Sequence, residues 1–144
     1  MDMLVKLYDL PDSRAAFERL RGQGIQIRRA LAAEKHKVAA WVRENFAEGW
    51  VSETEIAFGR QPLCCFIAVE QGRIVGFACH DATCRNFFGP TGVEPRARKN
   101  GVGTSLLFAC LEAEIPPAPA VAVVGDPAVF WARRIDAAAG GRMM

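Results

Sequence analysis

The spacing of apolar residues along the chain predicts short strands that alternate with amphipathic helices. Residues 4–8 alternate weakly between apolar and polar and predict a strand, and the next apolar residues recur at helical spacing until Gly22. We interpret residues 1–25 as an N-terminal strand–helix extension and residues 26–144 as the main domain. The alternation over residues 25–28 predicts the first strand of that domain.

Helical spacing returns in the next part of the chain and predicts two helices. The first covers residues 34–48 and ends at Gly49, because glycine is a common helix stop. Residues 52–55 read Ser-Glu-Thr-Glu, a pattern typical of a capping box, in which a hydroxyl and a carboxylate satisfy the first amides of a helix. We therefore predict a second helix that begins at Glu53 and ends near Phe58.

The central part of the chain has the features of an antiparallel hairpin followed by a further strand. Two apolar runs, residues 64–70 and 74–81, flank a tight Gln-Gly-Arg turn. Residues 87–93 predict the next strand, which contains Gly89-Pro90. Proline has no amide proton to donate, so we expect a bulge or a break in the ladder, with free backbone groups beside it.

The last part of the chain predicts a helix, a strand and a final helix. An apolar stripe covers residues 104–114, and a β-branched run follows at residues 121–124. Asp126 and Pro127 suit the N-cap and first position of a helix that carries Phe130. Strands and helices mixed in this order indicate the α/β (α+β) class.

Composition and charge limit the functions that this chain can have. Its 144 residues are 51% hydrophobic and 24% charged, which suits one globular domain. A formal net charge of +2 gives no bulk attraction for nucleic acid or anionic membranes. The N-terminus has neither a signal-peptide pattern nor an apolar run that spans a bilayer. We therefore expect a soluble cytoplasmic protein without a nucleic-acid or membrane partner.

The cysteines give no sign of a metal site in the sequence. There are five of them: Cys64, Cys65, Cys79, Cys84 and Cys110. They fall mostly inside apolar runs and form no CxxC pair, the spacing that structural zinc sites and catalytic dithiols use. We expect buried, reduced thiols and no metal ion.

The clearest candidate for chemistry is the segment between the strand at residues 87–93 and the following helix. Residues 98–103 read Arg-Lys-Asn-Gly-Val-Gly, and Arg96 lies just before them. The first amides of a helix have no internal partner and carry partial positive charge. Glycines and basic residues at this point therefore indicate a phosphate or pyrophosphate site.

Other kinds of glycine loop fit this segment less well. A P-loop needs a lysine before the hydroxyl residue, and here Gly103 directly precedes Thr104. A dinucleotide-binding turn needs a third glycine where Leu106 stands. Asp126 lies at the distance of a ribose-binding acid, although its role as a helix cap explains it more simply. A connector without a ligand is also left open.

The residues around this loop resemble the acyl-CoA-binding signature of the GNAT superfamily of N-acetyltransferases. The resemblance is carried by Val-Glu-Pro at residues 93–95, by Arg98-x-x-Gly101-x-Gly103, and by Leu-Leu at residues 106–107. It extends in element order over residues 26–139. It implies a mixed, mostly antiparallel central sheet that is flanked by helices and has splayed strands at the acyl-CoA site.

The resemblance also implies how acetyl-CoA, the family's co-substrate, is held. Backbone amides of residues 100–104 bind the pyrophosphate, with charge from the basic residues, and the strand end pairs with the pantetheine arm. The start of the last helix flanks the thioester. The implied coenzyme-binding residues are Gly92, Val93, Arg98, Lys99, Asn100, Gly101, Val102, Gly103, Thr104 and Phe130.

The implied activity is acetyl transfer from acetyl-CoA to a primary amine, which we expect to belong to a small molecule, by direct attack in a ternary complex. The family's usual acid is a tyrosine at the position of Trp131, and Tyr8 is the only tyrosine of the chain. Glu53, His80 and Asp81 are the candidates for the general base, and each also has a structural explanation at the end of an element. The alternative is a catalytically weak CoA-binding regulatory or interaction module of the same fold.

The end of the chain raises a question about the edge of the sheet. The family often adds strands after the last helix, whereas this chain stops at Met144. Since an open edge invites pairing, we expect the N-terminal strand or a second subunit to complete it. The second option predicts a homodimer.

Overall fold

The computed structural model of the protein describes residues 2–114 and the backbone of residues 121–124. Its strands are β1 (Met3–Lys6), β2 (Ile25–Arg29), β3 (Cys65–Glu70), β4 (Arg73–His80), β5 (Phe87–Val93) and β6 (Val121–Val124). Its helices are α1 (Arg14–Gly22), α2 (Lys35–Asn45), α3 (Glu48–Phe58) and α4 (Val102–Ala113). None of these helices has the length and apolar character that crossing a membrane requires. The final helix predicted from Asp126 lies outside the described residues.

The strands form one six-stranded sheet in the order β1-β6-β5-β4-β3-β2. Strands β2 to β5 form an antiparallel meander, β5 pairs parallel with β6, and β6 pairs antiparallel with β1. The mixed, mostly antiparallel sheet predicted from the sequence is confirmed. Met3 lies opposite Val124 and Lys6 opposite Val121, so the N-terminal strand covers the outer edge of β6. A homodimer was expected because the edge of the sheet would otherwise be open, and pairing with β1 removes that reason.

Helices cover both faces of the sheet and bury two apolar clusters. One cluster lies under α1 and α4 and includes Leu20, Ala68, Val75, Ala78, Leu106, Leu107 and Leu111. The other lies under α2 and α3 and includes Val38, Val42, Val51, Cys65, Ile67, Phe77 and Cys79. Neighbouring residues such as Ile67 and Ala68 of β3, or Phe77 and Ala78 of β4, thus enter opposite clusters, as a pleated strand requires. Each fully buried leucine of α4 contributes about 1.5–3 kcal/mol to stability.

Helix α4 approaches the sheet closely at Gly76 of β4. A Cβ atom on Gly76 would lie 3.2 Å from Cδ1 of Leu106 and 3.3 Å from Cγ1 of Val102. These distances are tighter than ordinary contacts, so the absence of a side chain lets the first turn of α4 rest on the strand. The position of that first turn is therefore fixed by core packing.

The boundary between α2 and α3 differs from the sequence prediction. Helix α2 ends at Asn45 and α3 already begins at Glu48, so Gly49 lies inside α3 and Glu53 does not start it. The predicted capping box is wrong, because Ser52 and Glu55 lie inside α3 and neither caps its start. Thr54 between them is fully buried, and its hydroxyl donates to the carbonyl of Trp50 at 2.7 Å. The acidic Glu48 in the first turn favours the earlier start through the helix dipole.

The hairpin and the irregular strand after it are confirmed. Gln71 and Gly72 take positive φ angles of 49° and 75° in the two-residue turn, which matches the twist of a hairpin. Ala78 pairs with Thr91 and His80 with Phe88, so β5 contains one more residue than β4 between these pairs. The extra residue falls at Gly89-Pro90, where the sequence predicted a bulge.

Candidate functional site

The loop from β5 to α4 reverses the chain through two residues in the left-handed region. Lys99 has a φ of +70° and Gly101, the N-cap of α4, has a φ of +87°. Glycine takes this conformation without strain, whereas a lysine there costs about 1 kcal/mol or more. A strained basic residue beside a helix start is a common feature of ligand-binding loops.

The N-terminus of α4 presents backbone donors outward. The first bond of the helix runs from the Ser105 amide to the Gly101 carbonyl at 3.0 Å. Within residues 2–114, the amides of Gly101, Val102 and Gly103 have no hydrogen-bond acceptor, and the N-cap glycine has no side chain to offer one. Such a helix end attracts an anion through its free amides and its dipole.

A cavity of about 450 Å³ leads from this helix end along the C-terminal half of β5. Its wall consists of Phe46, Trp50, Thr91, Gly92, Val93, Arg98, Lys99, Gly101, Gly103 and Thr104. Most of the coenzyme-binding residues named from the sequence therefore line one cavity. Two do not, because Val102 is buried in the core and the Asn100 side chain is exposed outside the wall. The predicted Phe130 lies outside the described residues.

The opposite wall of the cavity is aromatic. Phe46 follows the last residue of α2 and packs on Trp50 with ring centroids 5.0 Å apart, and Trp41 and Phe77 hold its other sides at 5.7 and 5.9 Å. The ring lies directly over Gly92, where a Cβ atom would come 2.7 Å from Cε2 and closer still to Cζ. The sequence did not predict Phe46 as a residue of the cavity wall, because an apolar residue on a helical stripe is equally typical of the core.

The basic residues of the loop have different partners. Arg98 donates from Nε to the carbonyl of Val93 at 2.9 Å, which braces the end of β5 against the loop and leaves its terminal nitrogens for a ligand. Arg96 pairs with the buried Glu94 at 2.6 Å and is thereby neutralised. Lys99 has no acidic partner among the described residues. Positive charge at the helix start therefore comes from Arg98 and Lys99.

The three candidates for the general base lie away from the cavity wall. Glu53 accepts a hydrogen bond of 2.5 Å from the Thr83 hydroxyl at the surface. His80 and Asp81 end β4 and lie beside a carboxylate that the sequence analysis missed, Glu114, whose Oε1 is 3.7 Å from His80 Nδ1. Burial lowers the pKa of His80 and raises that of Glu114 to about 8. None of the three lines the cavity.

The class of protein follows from this arrangement. A mixed sheet carries a bulged strand, and the edge of that strand leads to the bare N-terminus of a helix through a glycine loop. This is an α/β protein with a cavity that runs from a strand edge to a helix N-terminus, the kind of place where anions bind in other proteins.

The chain belongs to the acetyltransferase (GNAT) family, whose sequence model matches residues 25–114. The matched region runs from β2 to the end of α4 and contains every residue of the cavity wall. Members of this family transfer acetyl groups and use acetyl-CoA. A comparison with curated proteins gives no match.

Solved structures share the fold at low sequence identity. The GCN5-related glucosamine N-acetyltransferase region of a fungal multi-domain GH3 β-N-acetylglucosaminidase superposes with a TM-score of 0.73 and is 14% identical. It covers 93% of this chain and 19% of that chain. A Drosophila protein superposes with a TM-score of 0.60 at 15% identity, over 93% of this chain and 45% of that one. This chain thus spans less than half the length of either relative, and the likeness establishes the fold.

Proposed function

We propose that the protein transfers the acetyl group of acetyl-CoA to the primary amine of a small molecule, by direct attack in a ternary complex. The observation that carries the proposal is the single cavity that joins the bulged strand β5 to the bare helix end at Gly101. An extended ligand with an anionic middle and a flexible arm fits that shape.

The pyrophosphate of the coenzyme fits the helix end. The free amides of Gly101, Val102 and Gly103 point out of the first turn of α4, and the helix dipole favours negative charge there. Lys99 and the terminal nitrogens of Arg98 add two cationic groups at the same place. Charge-assisted bonds to amides and to these side chains are the interactions that phosphates use elsewhere.

The pantetheine arm fits the strand edge. Residues 91–93 of β5 line the cavity, and β5 pairs with β6 only at Phe87 and Phe88 among the described residues. An arm with amide groups can add to such an edge as a short strand does. Arg98 already occupies the carbonyl of Val93, so the arm pairs with the neighbouring backbone groups or displaces that bond.

The chemistry at the thioester depends on the groups near it, and the described part of the cavity wall contains no carboxylate or imidazole. Amine attack requires a neutral amine, yet none of Glu53, His80 and Asp81 lies in the wall. We therefore expect solvent to deprotonate the acceptor and expect the rate to rise with pH until the acceptor's own pKa is passed. We assign the donor for the developing oxyanion to the backbone of β5 beside the bulge at Gly89-Pro90.

The acceptor side is bounded by the aromatic rings of Phe46 and Trp50. These rings offer an apolar platform, and their π faces attract the ammonium form of an amine before it loses its proton. Glucosamine belongs in the first panel of acceptors, because one structural relative is named for that substrate. Diamines and amino acids complete the panel.

A CoA-binding module without efficient turnover is the second candidate. Two observations favour it: Trp131 stands where the family usually has a tyrosine, and the proposed bases lie outside the cavity wall. Indole donates a hydrogen bond but is a poor proton donor to a leaving thiolate.

The test combines coenzyme binding with turnover. Calorimetric titration with CoA measures binding, and release of free thiol from acetyl-CoA in the presence of each amine measures transfer. Acceptor-dependent thiol release supports the enzyme, and tight CoA binding without it supports the module. Absence of CoA binding by the wild-type chain overturns both.

Gly101→Leu tests the helix end, with Gly72→Leu as a matched control. Both glycines have a positive φ, +87° and +75°, and a Cβ atom on either has no neighbour within 4 Å. The backbone strain is therefore similar, but only Gly101 lies at the cavity. We expect at least a tenfold loss of CoA affinity in Gly101→Leu and none in Gly72→Leu; equal affinities would mean that the anion binds elsewhere.

A further inference from the structure

A second group of polar side chains lies at the other end of α4. Cys64 precedes β3, His80 and Asp81 end β4, and one ligand atom from each lies within 4.8 Å of the others. Nδ1 of His80 is 3.4 Å from Oδ2 of Asp81 and 3.7 Å from Oε1 of Glu114, the residue that follows α4. Three possible ligands from two separate segments therefore surround one point, and the Glu114 carboxylate lies beside one of them, His80.

This group is separate from the cavity at the glycine loop. The 12 residues of α4 lie between Gly101 and Glu114, and at 1.5 Å per residue they span about 18 Å. Of residues 2–114, none lines both the cavity at Gly101 and the pocket at His80. The cluster is therefore free to have a role of its own.

Two members of the cluster, His80 and Glu114, are buried, whereas Cys64 donates to the Pro62 carbonyl at 3.3 Å and Asp81 accepts from the Asn86 amide at 2.6 Å. The side chains of His80 and Glu114 are 4% and 1% exposed. Among the described residues, both ring nitrogens of His80 and both carboxylate oxygens of Glu114 lack a hydrogen bond of acceptable geometry. Each unsatisfied buried group of this kind costs about 1–3 kcal/mol, so four atoms in one place call for a missing partner.

A pocket of about 330 Å³ gives that partner room and access. Its wall includes Cys64, His80 and Asp81, together with the basic side chains of Arg60 and Arg85. A thiolate and two carboxylates carry one more negative charge than a divalent cation carries positive, and the arginines offset the excess. Arg60 is already held in place by its bond from Nε to the Asp81 carbonyl at 3.2 Å.

We propose that Cys64, His80, Asp81 and Glu114 bind one Zn²⁺ ion. Sulfur, imidazole nitrogen and carboxylate oxygen are the ligand atoms that zinc prefers, and four protein ligands are typical of a structural site. With zinc–ligand bonds of about 2.0–2.3 Å, tetrahedral ligands lie about 3.3–3.8 Å apart, which the distances of 3.4 and 3.7 Å already match. On binding, Cys64 releases its thiol proton to solvent and the thiolate bonds to the metal.

The proposed ion connects the segment before β3, the end of β4 and the end of α4. It thereby ties the helix that carries the anion site to the centre of the sheet. The ligands come from three distant segments, so they have no CxxC spacing, and a zinc ion here differs from the expectation of no metal. It does not depend on the proposed acetyl transfer.

The first experiment uses the wild-type chain after dialysis against a chelator. Zinc is titrated in competition with a chromophoric chelator, and Co²⁺ is added in a parallel sample to record its visible spectrum. We expect one equivalent of tight zinc binding, a thermal shift to higher temperature, and a cobalt spectrum with tetrahedral and thiolate bands. Absence of stoichiometric binding, or a cobalt spectrum of an octahedral aqua type, overturns the proposal.

Variants separate this site from a surface thiol. Cys64→Ser and Glu114→Gln each remove a ligand, whereas Cys84→Ser removes the exposed cysteine, which belongs to no ligand group in the described chain. We expect at least a tenfold loss of zinc affinity in the first two and no change in the third. Loss in Cys84→Ser alone, or equal affinity in all variants, would assign the zinc to an adventitious site. The wild-type cobalt spectrum decides the matter if Cys64→Ser does not fold.

Discussion

The contact between Gly92 and Phe46 predicts that substitutions at the two positions affect stability jointly, because the strand and the aromatic wall touch there without any spare space. A Cβ atom on Gly92 would lie 2.7 and 2.8 Å from Cε2 and Cε1 of the ring. Ordinary contacts begin near 3.4 Å, so the ring must move by about 0.6–1 Å. Trp50, at a centroid distance of 5.0 Å, and Trp41, at 5.7 Å, oppose that shift.

We expect Gly92→Ala to lower the free energy of unfolding by about 1–3 kcal/mol, the usual cost of overpacking a filled site. Phe46→Ala removes the half-buried ring and costs about 2 kcal/mol, less than a fully buried phenylalanine. In the double variant the new methyl group meets no ring. The double variant should therefore lose less unfolding free energy than the sum of the two single variants, by about 1–3 kcal/mol.

Urea unfolding of the wild type, both single variants and the double variant measures this coupling, provided that all four share one m-value. Gly49→Ala is the matched control, since Gly49 lies in α3 and a Cβ atom on it meets nothing within 4 Å. That change should leave stability unchanged or raise it by up to about 1 kcal/mol. If the losses of Gly92→Ala and Phe46→Ala add within about 0.5 kcal/mol, the ring does not lie over the strand as described.

Two further predictions concern local strain and an ion pair. Lys99→Gly should raise the free energy of unfolding by about 0.5–1 kcal/mol, because glycine takes the φ of +70° without strain. The same change should weaken CoA binding in calorimetry. A loss of stability would contradict the strain at Lys99. Glu34 accepts bonds from Arg28 at 2.6 and 2.9 Å and from the Leu31 amide, which lowers its pKa from 4.5 to about 2. Since the folded pKa is the lower one, this stabilisation is complete above pH 4.5 and disappears as the pH falls through 2. Glu34→Gln should therefore lower the free energy of unfolding by about 1–2 kcal/mol at pH 7, a figure already reduced for the partial exposure of the pair. Urea titrations at lower pH should show a progressively smaller difference from the wild type. A difference that does not change with pH would refute the assignment.

The features that the sequence predicted well are those that the backbone determines locally. The turn at Gln71-Gly72 needs two positive φ angles, and the pair Gly89-Pro90 cannot continue a ladder, so both are visible in a few residues. The glycine loop ending at Gly103 is equally local, since its place at a helix start and beside a cavity is as expected, while the anion site there stays a prediction.

The features that the sequence missed depend on which side chains meet in three dimensions. The capping box at Ser52 failed because α3 already begins at Glu48, so a pattern that suits a helix start lies in the helix interior. Phe46 has the spacing of a core residue, and only the missing side chain of Gly92 shows why that ring lies at the cavity. Glu114 lies off the apolar stripe of its helix, as a solvated residue would, yet the side chain is 1% exposed.

The two ends of helix α4 differ in how well the sequence predicts what lies there. Its apolar residues, Leu106, Leu107 and Leu111, are fully buried, and Gly76 lets its first turn rest on β4, so the helix is a rigid element of the core. At its N-terminus the backbone itself forms the site, and the sequence displays it. At its C-terminus the ligands are side chains that the helix brings to the ends of other elements, so their partnership appears only after folding. Changes at the zinc cluster should therefore alter the thermal stability of the whole domain, while changes at the glycine loop alter ligand affinity with little effect on stability.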